Sequence, residues 1–206
     1  MKILLFGSNG QVGSELRKSL NSLGRVFPSS RKDESLPCDL SDSSSISSLI
    51  RKVKPDLLVN ASAYTKVDQA EEDIELAFLV NSEAPKVMSK ESKVLGIPLI
   101  HYSTDYVYKN ESEDFINESQ EAKPLSVYGQ SKLEGDNYVL QTERGLVLRT
   151  SWVYSPTGNN FLRTILNLAK NDEPLRIIGD QVGTPTSSFF IAKITNDILY
   201  KMKGNN

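Results

Sequence analysis

The chain has little of the material from which several classes of protein are built. Its 206 residues include one cysteine, one histidine and one tryptophan. A lone Cys38 can close no internal disulfide and, by itself, no thiolate metal site. Charge of either sign is not in excess: the net charge is −2 with 24% charged residues, and no basic block marks a nucleic-acid or membrane surface. No apolar run approaches the ~20 residues that a membrane span needs. The N-terminal lysine and the run Ile3–Phe6 superficially resemble a signal peptide, but the run is too short and leads straight into glycines. It reads as a buried strand, and the cytoplasm as the compartment. With 38% hydrophobic residues, the chain can build one sizeable core, or one domain and part of a second.

Short apolar runs alternate with amphipathic stretches. Strands are expected at Ile3–Phe6, Val26–Phe27, Asp56–Asn60, Pro98–Tyr102, Leu146–Arg149 and Leu175–Ile178. Helices are expected over Gln11–Leu20, with Val12, Leu16 and Leu20 on one face, and over Ile46–Val53, where Ser41–Ser45 offers N-caps. Further helices are expected over Glu72–Leu95, Tyr128–Leu140, Asn160–Ala169 and Ile191–Tyr200. Pro85 predicts a kink or break near Ala84, and Lys109–Val127 has no period and reads as a surface loop. Uniformly apolar strands separated by helices mean a parallel sheet covered on both faces, with ligands at the carboxyl ends of the strands.

Gly7, Gly10 and Gly13 follow the first strand and open the first helix. A tight turn, close backbone approach to a pyrophosphate and a helix packed on its strand all require such a spacing. A flexible turn is the plain alternative; the position at the first strand–helix junction favours a dinucleotide. Ser29, Ser30 and Arg31 end the second strand where an acidic residue would suit the ribose of NAD, so a 2′-phosphate, and NADPH, is favoured. Asp33 keeps NADH open.

Tyr128 and Lys132, four residues apart on one helix, share a face. An ammonium near the phenol would lower its pKa from ~10 towards neutrality, and such a tyrosine can protonate a nascent alkoxide as hydride arrives. Ser103, Thr104 and Asp105 end the fourth strand, where a hydroxyl can meet a substrate oxygen, although strand-end capping explains Thr104 alone. His101 reads as a structural strand residue, not a general base.

GSNGQVG, DLLVNASAYTKVDQAE, HYSTDYVY, SVYGQSKLEG, LRTSWVY, GNNF and DQVGTPT follow one another in that order. Together they resemble the extended short-chain dehydrogenase/reductase family, and within it the dTDP-4-dehydrorhamnose reductases, nearly end to end. The resemblance implies an α/β, doubly wound parallel sheet of the Rossmann type over residues 1–150. A small C-terminal substrate region over 151–206 would interleave with it and stop short of the family's usual length.

The activity implied is reduction of the C4 ketone of dTDP-4-dehydro-L-rhamnose to dTDP-L-rhamnose, a polysaccharide precursor, with NADPH as cofactor and NADH as the lesser choice. Thr104, Tyr128 and Lys132 would form the catalytic triad, the last two also lying against the cofactor. Gly7 and Gly13 would shape the glycine loop, while Gly10, Gln11 and Val12 hold the pyrophosphate. Ser30 and Arg31 would meet the adenosine ribose, and Asp39 and Leu40 the adenine. Ala61, Ala63, Tyr64 and Thr65 would line the cofactor, with Tyr102 nearby. Thr104, Asp105 and Trp152 would touch the sugar nucleotide, a core anchor being the plain alternative for Trp152.

A homodimer is an open expectation. Glu15 matches a position from which some relatives hold magnesium at a dimer interface, but Ser187–Phe190 offers no glutamate, so no metal is expected. Two alternatives stay open: a non-catalytic subunit like the β regulatory subunit of methionine adenosyltransferase, and a reductase for another nucleotide sugar. From its length the chain is expected to bind NADPH and to bind dTDP-sugar poorly, with activity low or absent, and to expose Phe189, Phe190 and Ile191 or self-associate through them.

Overall fold

The computed structural model describes residues 1–33, 35–109, 115–170 and 176–204. Five parallel strands form the main sheet: β1 (Lys2–Phe6), β2 (Arg25–Ser29), β3 (Leu57–Asn60), β4 (Leu99–Thr104) and β5 (Gly145–Thr150). Their order across the sheet is β2-β1-β3-β4-β5. The chain winds from β1 outward to β2, then returns past β1 to β3, so the switch point lies between β1 and β3. A small second sheet pairs β6 (Val153–Tyr154) with β7 (Thr186–Ser187) in parallel.

Side chains alternate across the sheet and bury both faces. Ile3, Leu5, Val59 and Tyr102 pack with Leu16 and Leu20, from α1 (Gln11–Ser19) and the turn after it, and with Ile191 and Leu199 of α7 (Ser188–Gly204). Leu4, Phe6, Leu58 and Leu99 face the other way. They pack on Ile46 and Ile50 of α2 (Ser43–Val53), Met88 of α4 (Ala84–Leu95) and Val139 of α5 (Val127–Leu140). Burial of each large apolar side chain contributes about 1.5–3 kcal/mol.

Several boundaries differ from the sequence expectation. The second strand is five residues long, not two, because Arg25–Ser29 pairs with Lys2–Phe6 along the edge of the sheet, where Pro28 is tolerated. The helical run expected from Glu72 is three pieces: α3 (Ile74–Phe78), a π-turn at Leu79–Glu83, and α4, with Pro85 in its first turn where a missing N–H costs nothing. The break falls immediately before Ala84, as Pro85 suggested. Asp42, within the serine-rich segment, caps α2 by accepting from Ser44 N.

Of the expected strand Leu175–Ile178, residue 175 lies outside the described residues, and 176–178 form no regular element. The β6–β7 pair was not anticipated, since two residues carry no readable period. In the expected loop Lys109–Val127, residues 110–114 lie outside the described residues; 115–126 are neither helix nor strand. α6 (Phe161–Leu168) is capped by Asn160. Phe189 and Phe190 are exposed, as expected, whereas Ile191 is 5% exposed, because the start of α7 turns it onto α1 and the sheet. No helix among the described residues is long and apolar enough to cross a membrane.

Candidate active site

The glycine loop sits at the carboxyl end of β1, beside the switch point. Gly7 has φ +74, and a Cβ there would lie 2.6 Å from the Ala61 backbone, so the loop can approach β3 only without a side chain. Gly13 is tighter still: its Cβ would stand 2.0 Å from the Gly7 carbonyl oxygen. Gly10 is extended and caps α1 with no side chain over the first turn. The leading N–H groups of α1 therefore face outward with the positive end of the helix dipole, an arrangement suited to a pyrophosphate. Val12 packs against the core, and the Gln11 amide is turned to the C-terminal segment, donating to Asn159 O at 3.3 Å and accepting from Asn160 Nδ2 at 2.8 Å.

Next to the loop a cleft of about 300 Å³ opens between the ends of β1, β2 and β3. Seven residues that the sequence suggested as cofactor contacts line it (Gly7, Ser30, Arg31, Asp39, Leu40, Ala63 and Tyr64), together with Leu76 and Val80, which it did not suggest. Of the three residues proposed for a 2′-phosphate, Ser29 turns inward, its hydroxyl donating to Leu36 O at 2.7 Å. Asp33, the residue that kept NADH open, uses its carboxylate to accept from Ser35 N and Leu36 N. Asp39 is held below the ordinary carboxylate range, chiefly by the Ser41 N–H and hydroxyl, with Arg31 adding a smaller pull.

The Tyr64 peptide is clamped from both sides by Asn81 of the π-turn, whose Oδ1 accepts from Tyr64 N at 2.8 Å and whose Nδ2 donates to Tyr64 O at 3.1 Å. Asn81 also donates to Ser131 Oγ on α5 at 3.1 Å, so the π-turn ties the cleft wall to the Tyr128 helix. Ala61 packs against the core cluster that includes α1 and α7, and Thr65 is exposed; neither lines the cleft.

Ser126 caps α5 and accepts from Gly129 N, which starts the helix in time to bury both Tyr128 and Lys132. The Tyr128 ring meets Tyr106 edge-on at 5.6 Å. Burial pushes its phenol up to about 12; the adjacent Thr104 hydroxyl works the other way, and Asp105 adds to the rise. This overturns the expected fall towards neutrality. Lys132 points elsewhere: its ammonium donates to Tyr102 O at 2.7 Å and lies 3.2 Å from His101 Nε2. Burial brings Lys132 down to about 8, with Asp136 opposing. A phenol with a raised pKa holds its proton at neutral pH and gives it up at greater cost than a free phenol.

Thr104 accepts from Tyr106 N at 3.2 Å and so caps the turn after β4, while its hydroxyl stays beside Tyr128. Asp105 accepts from Ser151 Oγ at the start of the loop after β5. Tyr102 reaches this region only through its carbonyl; its phenol lies on the opposite face, 2.6 Å from Thr195 Oγ1 of α7. Trp152 holds a left-handed backbone at φ 44, packs on Phe161 at 6.0 Å and leaves no room for a side chain at Gly183, whose Cβ would be 2.5 Å from the indole. A non-glycine residue in that conformation costs on the order of 1–3 kcal/mol, a strain typical of functional loops.

Asn60, Asp136 and Arg149, which join His101 in a buried network behind Lys132, were not anticipated. Asp136 had a readable signal, standing four residues after Lys132 on the same helix. Among the described residues no cluster of side chains could hold a metal.

A Rossmann-type sheet with a glycine loop at its switch point, and a buried Tyr/Lys pair beside a strand-end threonine, define a protein of the short-chain dehydrogenase/reductase type. The family model described as the RmlD substrate binding domain matches residues 1–206, and the chain belongs to that family.

A relative from Burkholderia thailandensis named dTDP-4-dehydrorhamnose reductase is 45% identical over 97% of this chain and 66% of its own length. The chain thus spans just under two thirds of that relative. Among solved structures, a dTDP-4-dehydrorhamnose reductase from Clostridium acetobutylicum superposes with a TM-score of 0.90 at 35% identity, covering 98% of this chain and 71% of the other. Another, from Bacillus anthracis and in complex with NADP, gives 0.88 at 30% identity, covering 97% and 70%.

Proposed function

We propose that this chain carries the NADPH-binding and catalytic part of a reductase that converts dTDP-4-dehydro-L-rhamnose to dTDP-L-rhamnose. The observation that carries the reading is the Thr104 hydroxyl beside the Tyr128 phenol, with Lys132 buried one turn further along the same helix. The relatives' names and the NADP complex of one of them support it over a non-catalytic subunit and over other nucleotide sugars.

The first turn of α1, with Gly10, Gln11 and Val12, would hold the pyrophosphate. Ser30 and Arg31 would meet the 2′-phosphate end of the ribose, and Asp39 and Leu40 the adenine. Ala63 and Tyr64 of the cleft wall, with Ala61 and Thr65 on either side of them in sequence, would line the rest of the cofactor. When bound, the nicotinamide supplies the hydride that reduces the C4 ketone.

The chain's own residues handle the oxygen. The Thr104 hydroxyl donates a hydrogen bond to the carbonyl oxygen, polarising it. Tyr128, protonated at neutral pH, would give its proton to the nascent alkoxide, with the buried Lys132 one turn further along the same helix. Asp105 and Trp152 would orient the sugar nucleotide. Residues 1–150 form the dinucleotide-binding unit in this reading, and 151–206 belong to the substrate region. The cytoplasm, where nucleotide sugars are made, is the compartment we infer, and a homodimer the assembly.

The test is consumption of NADPH with dTDP-4-dehydro-L-rhamnose, for this chain and for a form extended to the relatives' length. Turnover by the extended form supports the reading. An extended form that binds NADPH yet reduces none of the ketone overturns it.

A further inference from the structure

Behind the reactive face lies a buried group that the proposed reaction does not use. Asn60 ends β3, and its register partner on β4 is His101. The Asn60 carbonyl oxygen is already engaged, accepting from Ser62 N at 3.2 Å and Ser62 Oγ at 2.5 Å. Its amide nitrogen is therefore the atom that faces His101 Nδ1 at 3.0 Å. An amide nitrogen can only donate, so Nδ1 accepts and the imidazole proton sits on Nε2.

Nε2 has two neighbours: Lys132 Nζ at 3.2 Å and Asp136 Oδ1 at 3.7 Å. That Asp136 oxygen is buried and accepts no hydrogen bond, the 3.7 Å approach of Nε2 being an ionic-range contact, whereas Oδ2 accepts from Ser103 Oγ at 2.9 Å and Arg149 Nε at 3.1 Å.

We propose that Asn60, His101 and Asp136 form a positioning triad for Lys132, in which the His101 Nε2–H serves whichever charge state the lysine is in. When Lys132 is an ammonium, it and Nε2–H are both donors, so the acceptor that faces the imidazole N–H is Asp136 Oδ1, 3.7 Å away, and the carboxylate balances the buried cation. When Lys132 is a neutral amine, its lone pair accepts from Nε2–H and Nζ still donates to Tyr102 O. Neither state leaves the lysine nitrogen without a partner. Without such an arrangement a buried ammonium or a buried amine would each be costly.

The other groups facing this cluster do not replace it. Arg149 of β5 stands behind Asp136 and donates to Tyr108 Oη. Asp105 and Tyr106, after β4, face Tyr128. Glu71 accepts from Val127 N at the start of α5, Lys86 of α4 lies over Tyr138 near its end, and the π-turn presents the neutral Asn81.

The role of Lys132 rests on the reductase reading, but the arrangement can be measured without turnover. His101 is the only histidine, so ¹⁵N-histidine NMR of the whole chain reports one ring. We expect the Nε2–H tautomer, still uncharged below the ordinary histidine value of 6.5, with its shifts stepping as Lys132 titrates. An Nδ1–H tautomer, or an imidazolium at about pH 6, overturns the triad.

In the second arm, ¹³Cε-lysine NMR follows Lys132 directly in the wild type and in Asp136→Asn. Loss of the carboxylate should lower the lysine's midpoint by about one pH unit or more, and an unchanged midpoint overturns the role of Asp136. Because the histidine spectrum needs only the wild-type chain, poor folding of the variant leaves the first arm decisive. Failure of either arm with NADPH turnover intact removes the triad and spares the reductase; the reverse outcome removes the reductase and spares the triad.

Discussion

Gln11 and Asn160 are 149 residues apart in sequence, yet the Asn160 amide donates to Gln11 Oε1 at 2.8 Å. The same Asn160 caps α6, accepting from Arg163 N at 3.0 Å, and its amide also donates to Ser155 O at 3.0 Å. One side chain thus starts the first helix of the C-terminal segment and fastens it to the glycine loop. Asn160→Ala should remove a cap contributing about 1 kcal/mol and release the fastening. We expect faster amide hydrogen exchange through α6 and in the turn Gly7–Gln11. Unchanged protection at both places would show that the bond does not couple them.

Gly13→Ala tests the glycine loop by packing alone. The new Cβ would fall 2.0 Å from Gly7 O and 2.9 Å from Ser8 Cα, both backbone atoms that cannot move without opening the loop. A loss of at least about 1–3 kcal/mol in urea unfolding is expected, the usual range for overpacking. A variant as stable as the wild type would mean that the loop is looser than described.

Tyr128→Phe removes the proton donor and keeps the ring that meets Tyr106 edge-on. In the form extended to the relatives' length, turnover should fall by about 10²-fold or more, with NADPH binding and the unfolding midpoint kept. Near-normal turnover would remove Tyr128 from the role of acid.

The buried His101 should give stability an acid-side slope. Burial first, and the charge of Lys132 second, hold its pKa well below the ordinary 6.5. Below pH 6.5 the unfolded chain takes up a proton on this residue and the native chain does not, so acidification favours unfolding. Asp136, raised above 3.8 mainly by burial, acts oppositely once the native carboxyl takes up its own proton, and softens the fall at lower pH. Unfolding free energy measured in urea should decline from pH 6.5 towards about pH 5, at up to about 1.4 kcal/mol per pH unit. A flat or rising profile in that interval would show that the native state charges His101.

Much of this was legible in the residues because it depends on local pattern. Uniformly apolar strands such as Leu57–Asn60, the Gly7–Gly13 spacing and the four-residue step from Tyr128 to Lys132 each follow from a period or a steric need. What escaped depends on pairing across the chain. The direction of the Lys132 ammonium is set by the Tyr102 carbonyl on another element, so the expected effect on the Tyr128 phenol could not be read from their spacing. Ser29 lines the cleft, but its hydroxyl is taken up by the Leu36 carbonyl. Tyr102 lies next to the site in sequence, yet strand alternation sends its phenol to α7. The π-turn was visible only as a disturbance near Pro85; its consequence, the Asn81 clamp on Tyr64, needs the fold.

The central claim is that the cleft at the switch point takes NADPH, with Arg31 meeting the 2′-phosphate. Calorimetric titration of the chain, and of Arg31→Ala, with NADPH and with NADH tests it most directly. We expect the wild type to bind NADPH more tightly than NADH, and the substitution to weaken NADPH by about tenfold or more while changing NADH little, as loss of a charge-assisted phosphate contact requires. Absence of NADPH binding by the wild-type chain, or equal losses for both dinucleotides, would contradict it.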